Sequence, residues 1–407
     1  MNGAPPCPDH GRDARPVLLV LSHLRWDFVF QRPQHLMTRA AEAYEVVFFE
    51  EPLVEEGAEP RLELSGRPGG VTVARPILPP GLSPDVSVAA QRSLLETVLA
   101  PRAGRPLVAW FYSPMFVALG SGIAADAVIY DCMDELSAFR GAPPEMIENE
   151  RRLLARADLV FTGGRSLYEA KRGRHASVHC FPSSIDAKHF GQARGAIPEP
   201  ESLRGMARPR MGFFGVVDER MDIELVAELA RLRPEWQLCM IGPVVKIDPA
   251  ALPQAPNLHW LGGRDYKELP AYLAHWDIGF MPFALNESTR FISPTKTPEF
   301  LAAGLPVVST AVTDVVRDYG PVGGAPGLVE IASGAAEMAE RADALLARPR
   351  DAWRAAVDAR LADNSWDRTW ARMAALIREA RATKEARKGA GLPVATLAAR
   401  AAGASHV

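Results

Sequence analysis

The sequence predicts an α/β protein made of two doubly wound, Rossmann-like domains that face each other across a cleft. Two observations carry that expectation. Short continuous apolar runs recur along the chain, among them Val17–Ser22, Leu107–Tyr112, Arg210–Phe214 and Val307–Thr310, and they read as parallel strands buried on both faces. Segments of helical spacing separate them. The alternation then starts afresh after a proline- and charge-containing stretch, 191–208, which reads as a linker. With 407 residues the chain has room for two to three domains. The expected division is a flexible N-terminus at 1–16, a first domain at 17–190, the linker at 191–208, a second domain at 209–365, a last helix at 366–382 and a flexible tail at 383–407.

Composition narrows the class. A hydrophobic content of 48% and a charged content of 23% are ordinary for a globular protein, and a formal net charge of -3 gives no electrostatic case for nucleic acid. Cys7, Cys132, Cys180 and Cys239 are scattered without C-x-x-C spacing, which speaks against a disulfide framework or a zinc site and makes a reducing cytoplasm the default. The first sixteen residues lack the apolar core of a signal peptide. Every apolar run is far shorter than the roughly 20 residues of a bilayer span, so membrane contact is expected to be peripheral, at the inner face of the cell membrane.

The first strand, Val17–Ser22, ends in H-L-R-W-D-F-V-F-Q-R-P, and Pro33 starts a helix through Met37 and Ala41. Parallel-sheet proteins place ligands outside the carboxyl ends of their strands, where His23, Arg25, Trp26, Asp27, Gln31 and Arg32 would sit. The alternative for the aromatic residues is packing: at least two of Trp26, Phe28 and Phe30 are expected to plug the loop into the core. Glu45–Glu50 reads as the next strand, Pro60–Gly70 as a loop, Val71–Val73 as a short strand and Val86–Ala100 as a helix. Ala127–Tyr130 is a further strand running into D-C-M-D-E. Its three acids suit acceptor hydroxyls or a metal, or N-capping by Asp131 or Asp134. A helix at Glu145–Arg156, a strand at Leu159–Thr162, a helix from Ser166 and a strand at Val178–Phe181 complete the first half.

In the second half, the strand Arg210–Phe214 ends at Gly215, where bare backbone can approach a ligand, and a helix starts near Asp222. Arg220 between them is either a phosphate donor or part of a solvated turn with Asp218 and Glu219. Strands at Gln237–Ile241 and Asn257–Leu261 precede a helix from Tyr266 to Trp276, capped by Asp265, with Leu269, Tyr272 and Leu273 at core spacing. The strand Asp277–Pro282 leads to a loop bearing Arg290 within reach of a phosphate or sugar.

The stretch S-P-T-K-T-P-E-F-L-A-A-G-L-P-V-V, Ser293–Val308, follows. Ser293 is a candidate cap and Pro294 suits a first turn, with Thr295 beside them; Gly304 ends the helix and Pro306 forbids its continuation. Lys296 and Glu299 lie one turn apart at the helix start. They are either an exposed i,i+3 pair or a cation for phosphate with a carboxylate for ribose hydroxyls. A short helix at Thr313–Tyr319, a strand at Leu328–Ile331 and helices at Ala335–Ala347 and Ala352–Ala362 come next, and Asn364–Trp370 caps the last helix.

The string P-x-K-x-x-E-x-x-A-x-G-x-P-V-V resembles the donor-nucleotide motif of GT-B glycosyltransferases, in particular the large retaining family 4. Together with R-W-D-F-V-F-Q-R-P-Q-H it resembles a bacterial subgroup implicated in surface-polysaccharide or teichuronic-acid-type assembly. The turn P-S-S-I-D, Pro182–Asp186, is similar to the one closing the first domain of such relatives. The resemblance implies that Lys296 meets the diphosphate and Glu299 the ribose, while Arg220 adds a basic phosphate contact and Tyr266 stacks on or bonds the base. It also implies that the last helix crosses back to the first domain, anchored by a buried Trp366. The chain departs from the family's pair of acids at Phe291, where relatives carry the acid that contacts the donor sugar.

The activity implied is transfer of a sugar from a UDP- or GDP-sugar to a glycan or lipid-linked glycan acceptor, retaining and without a metal or other cofactor. The first domain would bind the acceptor, with His23 or a carboxylate of Asp131–Glu135 orienting it, and the second the donor. Lys296 and Arg290 would stabilise the leaving diphosphate, with Ser293, Pro294, Thr295 and Gly215 around it. Two alternatives remain: a GT-B nucleotide-sugar 2-epimerase, and a catalytically silent GT-B homologue that binds or scaffolds. The sugar, the base, the acceptor and the oligomeric state are not written in the sequence.

Overall fold

A computed structural model describes residues 15–390. Most of the expected flexible N-terminus and the end of the expected tail, residues 391–407, lie outside the described residues. The described chain divides into two compact units. One comprises residues 15–130, 149–159 and 376–390, and the other residues 131–148 and 160–375.

The first unit is built on a twisted, mostly parallel sheet. Its strands are β1 (Val17–Ser22), β2 (Glu45–Glu50), β3 (Leu53–Val54), β4 (Arg61–Arg67), β5 (Val71–Leu78), β6 (Leu107–Phe111) and β7 (Ala127–Cys132). They run in the order β3-β5-β2-β1-β6-β7, with Val17 registered against Glu45 on one side and Leu107 on the other. Every residue of β1 is buried, as its unbroken apolar run requires. The expected loop at Pro60–Gly70 is instead β4, antiparallel to an eight-residue β5, with Arg61 opposite Ile77 and Arg67 opposite Val71. Six of its seven side chains are charged, small or exposed, so it carries no apolar signal. Its hydrogen bonds to β5 alone make it a strand.

The loop after β1 is pinned from beneath. The Glu50 carboxylate, wholly buried at the end of β2, accepts from the Trp26 backbone N–H at 2.7 Å, from Arg75 Nε at 2.8 Å and from Arg25 at 3.3 Å. Gln34 Nε2 donates to the carbonyls of Trp26 and Val29 at 2.7 and 3.0 Å. Trp26 packs edge-on against Phe48 and is buried, but Phe28 and Phe30 are 48% and 44% exposed. The expectation that at least two of these aromatics fill the core is therefore corrected: polar bonds hold the loop, and one indole suffices.

The second unit contains β8 (Leu159–Thr162) and β9 (Val178–Cys180), paired in parallel from Val160 to Val178. It also contains a complete parallel sheet. This is formed by β10 (Arg210–Phe214), β11 (Gln237–Ile241), β12 (Leu258–Gly262), β13 (Ile278–Met281), β14 (Val307–Thr310) and β15 (Val329–Ala332), in the order β12-β11-β10-β13-β14-β15. The order places β10 at the centre, between β11 and β13, where the doubly wound topology reverses.

Helices cover both faces. On one, Ile223–Leu232 and Ala335–Ala347 bury Val226, Leu229, Met338 and Ala342 against Phe280 and Val308. On the other, Phe300, Trp276 and Tyr272 pack with Phe214, Ile241 and Val307. Two strand glycines make this second face possible. A Cβ on Gly212 would stand 2.0 Å from the Trp276 ring, and one on Gly279 would stand 2.8 Å from the Phe300 ring. Leu269, Tyr272 and Leu273 are buried as their spacing predicts, although the segment opens with a single 3₁₀ turn, Tyr266–Glu268, before the α-helix Leu269–Ala274.

The last helix is longer than expected, Trp366–Gly389. Its start, with Trp366 2% exposed, belongs to the second unit, and its remainder belongs to the first, where Lys384 Nζ pairs with Asp158 at 2.8 Å.

Candidate functional site

The site grows from the packing of Phe300. That ring is fully buried, edge-on to Phe214 at 5.1 Å, and seated in the space that Gly279 leaves open. Lys296 lies four residues earlier in the helix Lys296–Ala302, on the same side of it one turn up. Anchoring Phe300 over the sheet therefore aims Lys296 at the carboxyl end of β10. The Lys296 side chain lies on the bare backbone of Gly215, whose φ of 147° belongs to glycine; a Cβ there would meet Lys296 Cε at 2.7 Å and Nζ at 3.3 Å. The far end of the helix is held as well: Arg194 Nε donates to Ala302 O at 2.8 Å while its NH2 pairs with Asp358 at 2.8 Å.

The floor is closed by a second glycine. Gly242 ends β11 with φ 148°, and a Cβ on it would lie 1.7 Å from Gly215 O. Pairing continues past the strands, with Val217 N–H donating to Pro243 O at 3.0 Å and Val245 N–H to Val217 O at 2.9 Å. Arg220 stands on this extension. Its guanidinium is gripped by Asp218, Nε to Oδ1 at 2.9 Å and NH2 to Oδ2 at 2.7 Å, and it lies 5.6 Å from the centroid of Phe139. Asp222 caps the following helix, accepting from Leu225 N–H at 2.9 Å.

Electrostatics separate this cluster from a surface pair. Lys296 is half-buried, and among the described residues no carboxylate stands within ion-pair distance of it. Burial lowers its pKa, opposed by the charge of Glu299 and reinforced by Arg220. Glu299 is 7% exposed, and burial pushes its carboxyl up to about 8 against the pull of Lys296. Burial also works against the Arg220 cation, but the bond and charge of Asp218 outweigh it and hold the pKa above its ordinary value. The arrangement is a cation aimed at open backbone, a second cation fixed by its own acid, and a buried carboxyl one turn away. That is a geometry for an anion joined to a hydroxyl-bearing group.

The other expected site residues fall elsewhere. Ser293 does not cap the helix. Thr295 holds the N-cap position with helical backbone and no side-chain cap bond, because the helix starts two residues later than Pro294 suggests. The Ser293 carbonyl accepts from Ser183 Oγ at 2.8 Å, and Ser293 and Pro294 line a cavity of about 230 Å³ with Arg165, Asp318 and Arg360. Arg290 is exposed, 3.6 Å from Glu287, with its guanidinium 5.2 Å from the Phe291 ring. Tyr266 has one ring face covered by His189, stacked at 4.3 Å, and its edge against Phe190. His23 is half-buried just beyond β1 in the first unit.

Of the three acids after Tyr130, Asp131 is a buried member of β7 rather than a cap, and Glu135 pairs with the buried Lys171 at 2.6 Å. Asp134 adds its charge to the fields at Lys296 and Arg220. Among the described residues no cluster of three His, Cys, Asp or Glu side chains could hold a metal ion. Sequence reasoning missed Asp218 as the organiser of Arg220, Gly242 as the floor, and Phe139. For Gly242 a signal existed, a glycine at a strand's carboxyl end. For Phe139 there was none, since its partners are some eighty or more residues away in sequence.

Residues 208–348, which include this helix and all six strands of the second sheet, match the family described as glycosyl transferases group 1. A putative teichuronic acid biosynthesis glycosyltransferase, TuaH of Bacillus subtilis, is 29% identical over 232 residues. That match spans 53% of this chain and 58% of the relative's length. Among solved structures, sucrose-phosphate synthase from Thermosynechococcus elongatus aligns with a TM-score of 0.65 at 17% identity, covering 91% of this chain and 100% of that one. The catalytic domain of starch synthase IV from Arabidopsis thaliana, bound to ADP and acarbose, aligns with a TM-score of 0.63 at 10% identity over 91% and 100% of the two chains. At such identities the structural likeness establishes architecture, two Rossmann-like domains of the GT-B type. Residues 208–348 thus match the glycosyl transferases group 1 family, within a chain of the GT-B fold.

Proposed function

We propose that the protein is a glycosyltransferase that moves a sugar from a nucleotide-sugar donor to a glycan or lipid-linked glycan acceptor in bacterial surface-polysaccharide assembly. The observation that carries this reading is Lys296 laid against the Gly215 backbone with Glu299 buried one turn on. In this reading Lys296 and Arg220 hold the diphosphate of a UDP- or GDP-sugar, and Glu299 accepts hydrogen bonds from the ribose hydroxyls. As the glycosidic bond breaks, negative charge gathers on the departing diphosphate, and cations already in position stabilise it without reorganisation. In this reading these cations do the work that a metal would otherwise do, and a retaining course without a dedicated enzymic base is what the resemblance of the Lys296–Glu299 motif implies. The first unit, with His23 and the pinned loop after β1, would receive the acceptor.

The similarity to a glycosyltransferase of teichuronic acid biosynthesis supports a glycan acceptor. No helix among the described residues is long and apolar enough to cross a membrane. We propose that the protein works by peripheral contact at the inner face of the membrane.

The test is a thermal-shift screen of UDP-, GDP- and dTDP-sugars against wild type and Lys296→Ala. Ligands that bind the folded state raise its apparent stability. A donor that stabilises wild type and not the variant, and that releases nucleoside diphosphate when a lipid-linked acceptor is added, supports the reading. No response to any nucleotide sugar refutes it.

A further inference from the structure

We propose that Lys246 is an additional anion-recognising residue of this site, meeting either the donor's diphosphate or a carboxylate carried by its sugar. The inference rests on the donor-binding reading above and goes beyond it in naming a third cation and the chemistry it selects.

Four observations lead to it. First, Lys246 follows β11 on the segment that pairs with the Gly215–Val217 strand extension, so its position is tied to the floor on which Lys296 lies. Second, its ammonium stands 5.6 Å from the centroid of Phe139, the same ring that the Arg220 guanidinium approaches at 5.6 Å. One aromatic side chain thus gathers two cations, which would otherwise repel each other. Third, Arg220 has its carboxylate in Asp218, whereas Lys246 is exposed and among the described residues has no ion-pair partner. Fourth, Lys246 is the one non-glycine residue in the described chain with positive φ, 61°. A lysine held in left-handed backbone is strained, and such strain persists where the surroundings fix it, often at ligand sites.

A surface lysine with no task would not need this conformation, and a glycine or asparagine would adopt it more easily. In this proposal the charge has a task at this place. Phe139 holds the Lys246 ammonium loosely, by the face of a neutral ring rather than by an acid, and an anionic oxygen offers it a stronger partner.

The experiment titrates UDP, UDP-glucose and UDP-glucuronate, with the GDP counterparts, into wild type, Lys246→Asn and Lys296→Ala by isothermal calorimetry. Asparagine tolerates the left-handed backbone and carries no charge, so the fold is expected to survive; circular dichroism and the melting temperature check it. A diphosphate contact predicts that Lys246→Asn weakens all the nucleotides about tenfold and flattens the salt dependence of binding. A carboxylate contact predicts that it weakens the glucuronate about tenfold and leaves the others unchanged. If Lys246→Asn binds all of them within about twofold of wild type while Lys296→Ala loses them, the Lys246 assignment is wrong and the site stands. If wild type binds none, or Lys296→Ala binds like wild type, the donor-site reading falls and takes this inference with it.

Discussion

Lys296 lies over the bare backbone of Gly215: a Cβ on residue 215 would stand 2.7 Å from the lysine Cε and 3.3 Å from its Nζ. The relationship ties a helix start to a strand end in the adjacent layer. It makes the position of the cation depend on the absence of a side chain elsewhere.

Gly215→Ala tests that dependence. The added methyl collides with Lys296 and imposes a left-handed φ on alanine. We expect a loss of about 1–3 kcal/mol in stability from overpacking, read by urea denaturation. Nucleotide binding should fall more than tenfold, close to the effect of Lys296→Ala. Full binding in a folded Gly215→Ala would show that the lysine acts from another position.

Phe300→Ala should cost about 3–5 kcal/mol, because it empties the space between Gly279, Phe214 and Trp276. Phe300→Leu refills much of the volume and is expected to recover most of the stability. If Phe300 sets the aim of Lys296, a folded Phe300→Leu still binds donor less tightly than wild type, measured by calorimetry below its melting point.

The buried Glu299 predicts a pH dependence with a definite sign. Its carboxyl is pushed up to about 8 in the folded protein, above its unfolded value of 4.5, so the native state binds more protons in that window. Its contribution to stability is present below the unfolded pKa and is lost as pH rises toward 8, with a ceiling of about 1.4 kcal/mol per pH unit for one full proton. Lys296, lowered by burial, acts in the opposite sense at higher pH. Glu299→Gln should remove the Glu299 slope. Urea titrations of both proteins from pH 5 to pH 8 that run parallel would count against a buried, protonated Glu299.

Phe28 and Phe30 are exposed on a loop whose polar bonds lie beneath them. Replacing both by Ser should change stability by less than about 0.5 kcal/mol per site. A lowered rate of transfer with unchanged donor affinity would mark them as acceptor contacts, whereas a large drop in melting temperature would mean that they pack after all.

Much of this was legible in the sequence for one reason: strands buried on both faces write their position as unbroken apolar runs. β1, β6, β10 and β14 are readable on that ground, and Gly304 with Pro306 marks the helix end, where Gly304 indeed has φ 75°. The cation at Lys296 and the carboxylate at Glu299 are also visible as residue types at a helix start. What the sequence conceals is set across the chain. β4 is a strand because β5 offers it hydrogen bonds, not because its residues prefer to be one. Asp131 is buried in β7 although an aspartate after an apolar run resembles a cap. Arg220 and Lys246 meet at Phe139 through loops that only the folded sheet brings together.

Gly242 reaches the carbonyl of Gly215 backbone to backbone, with no room for any side chain at 242, while Gly215 carries φ 147° and has the Lys296 side chain over it. Evolution can therefore not retune ligand preference at this spot by trading one residue for another, since every trade forfeits the seam. Variation must enter at the loop tips beyond it, where Arg220 and Lys246 stand, so homologues with altered donor choice are expected to differ there while keeping both glycines.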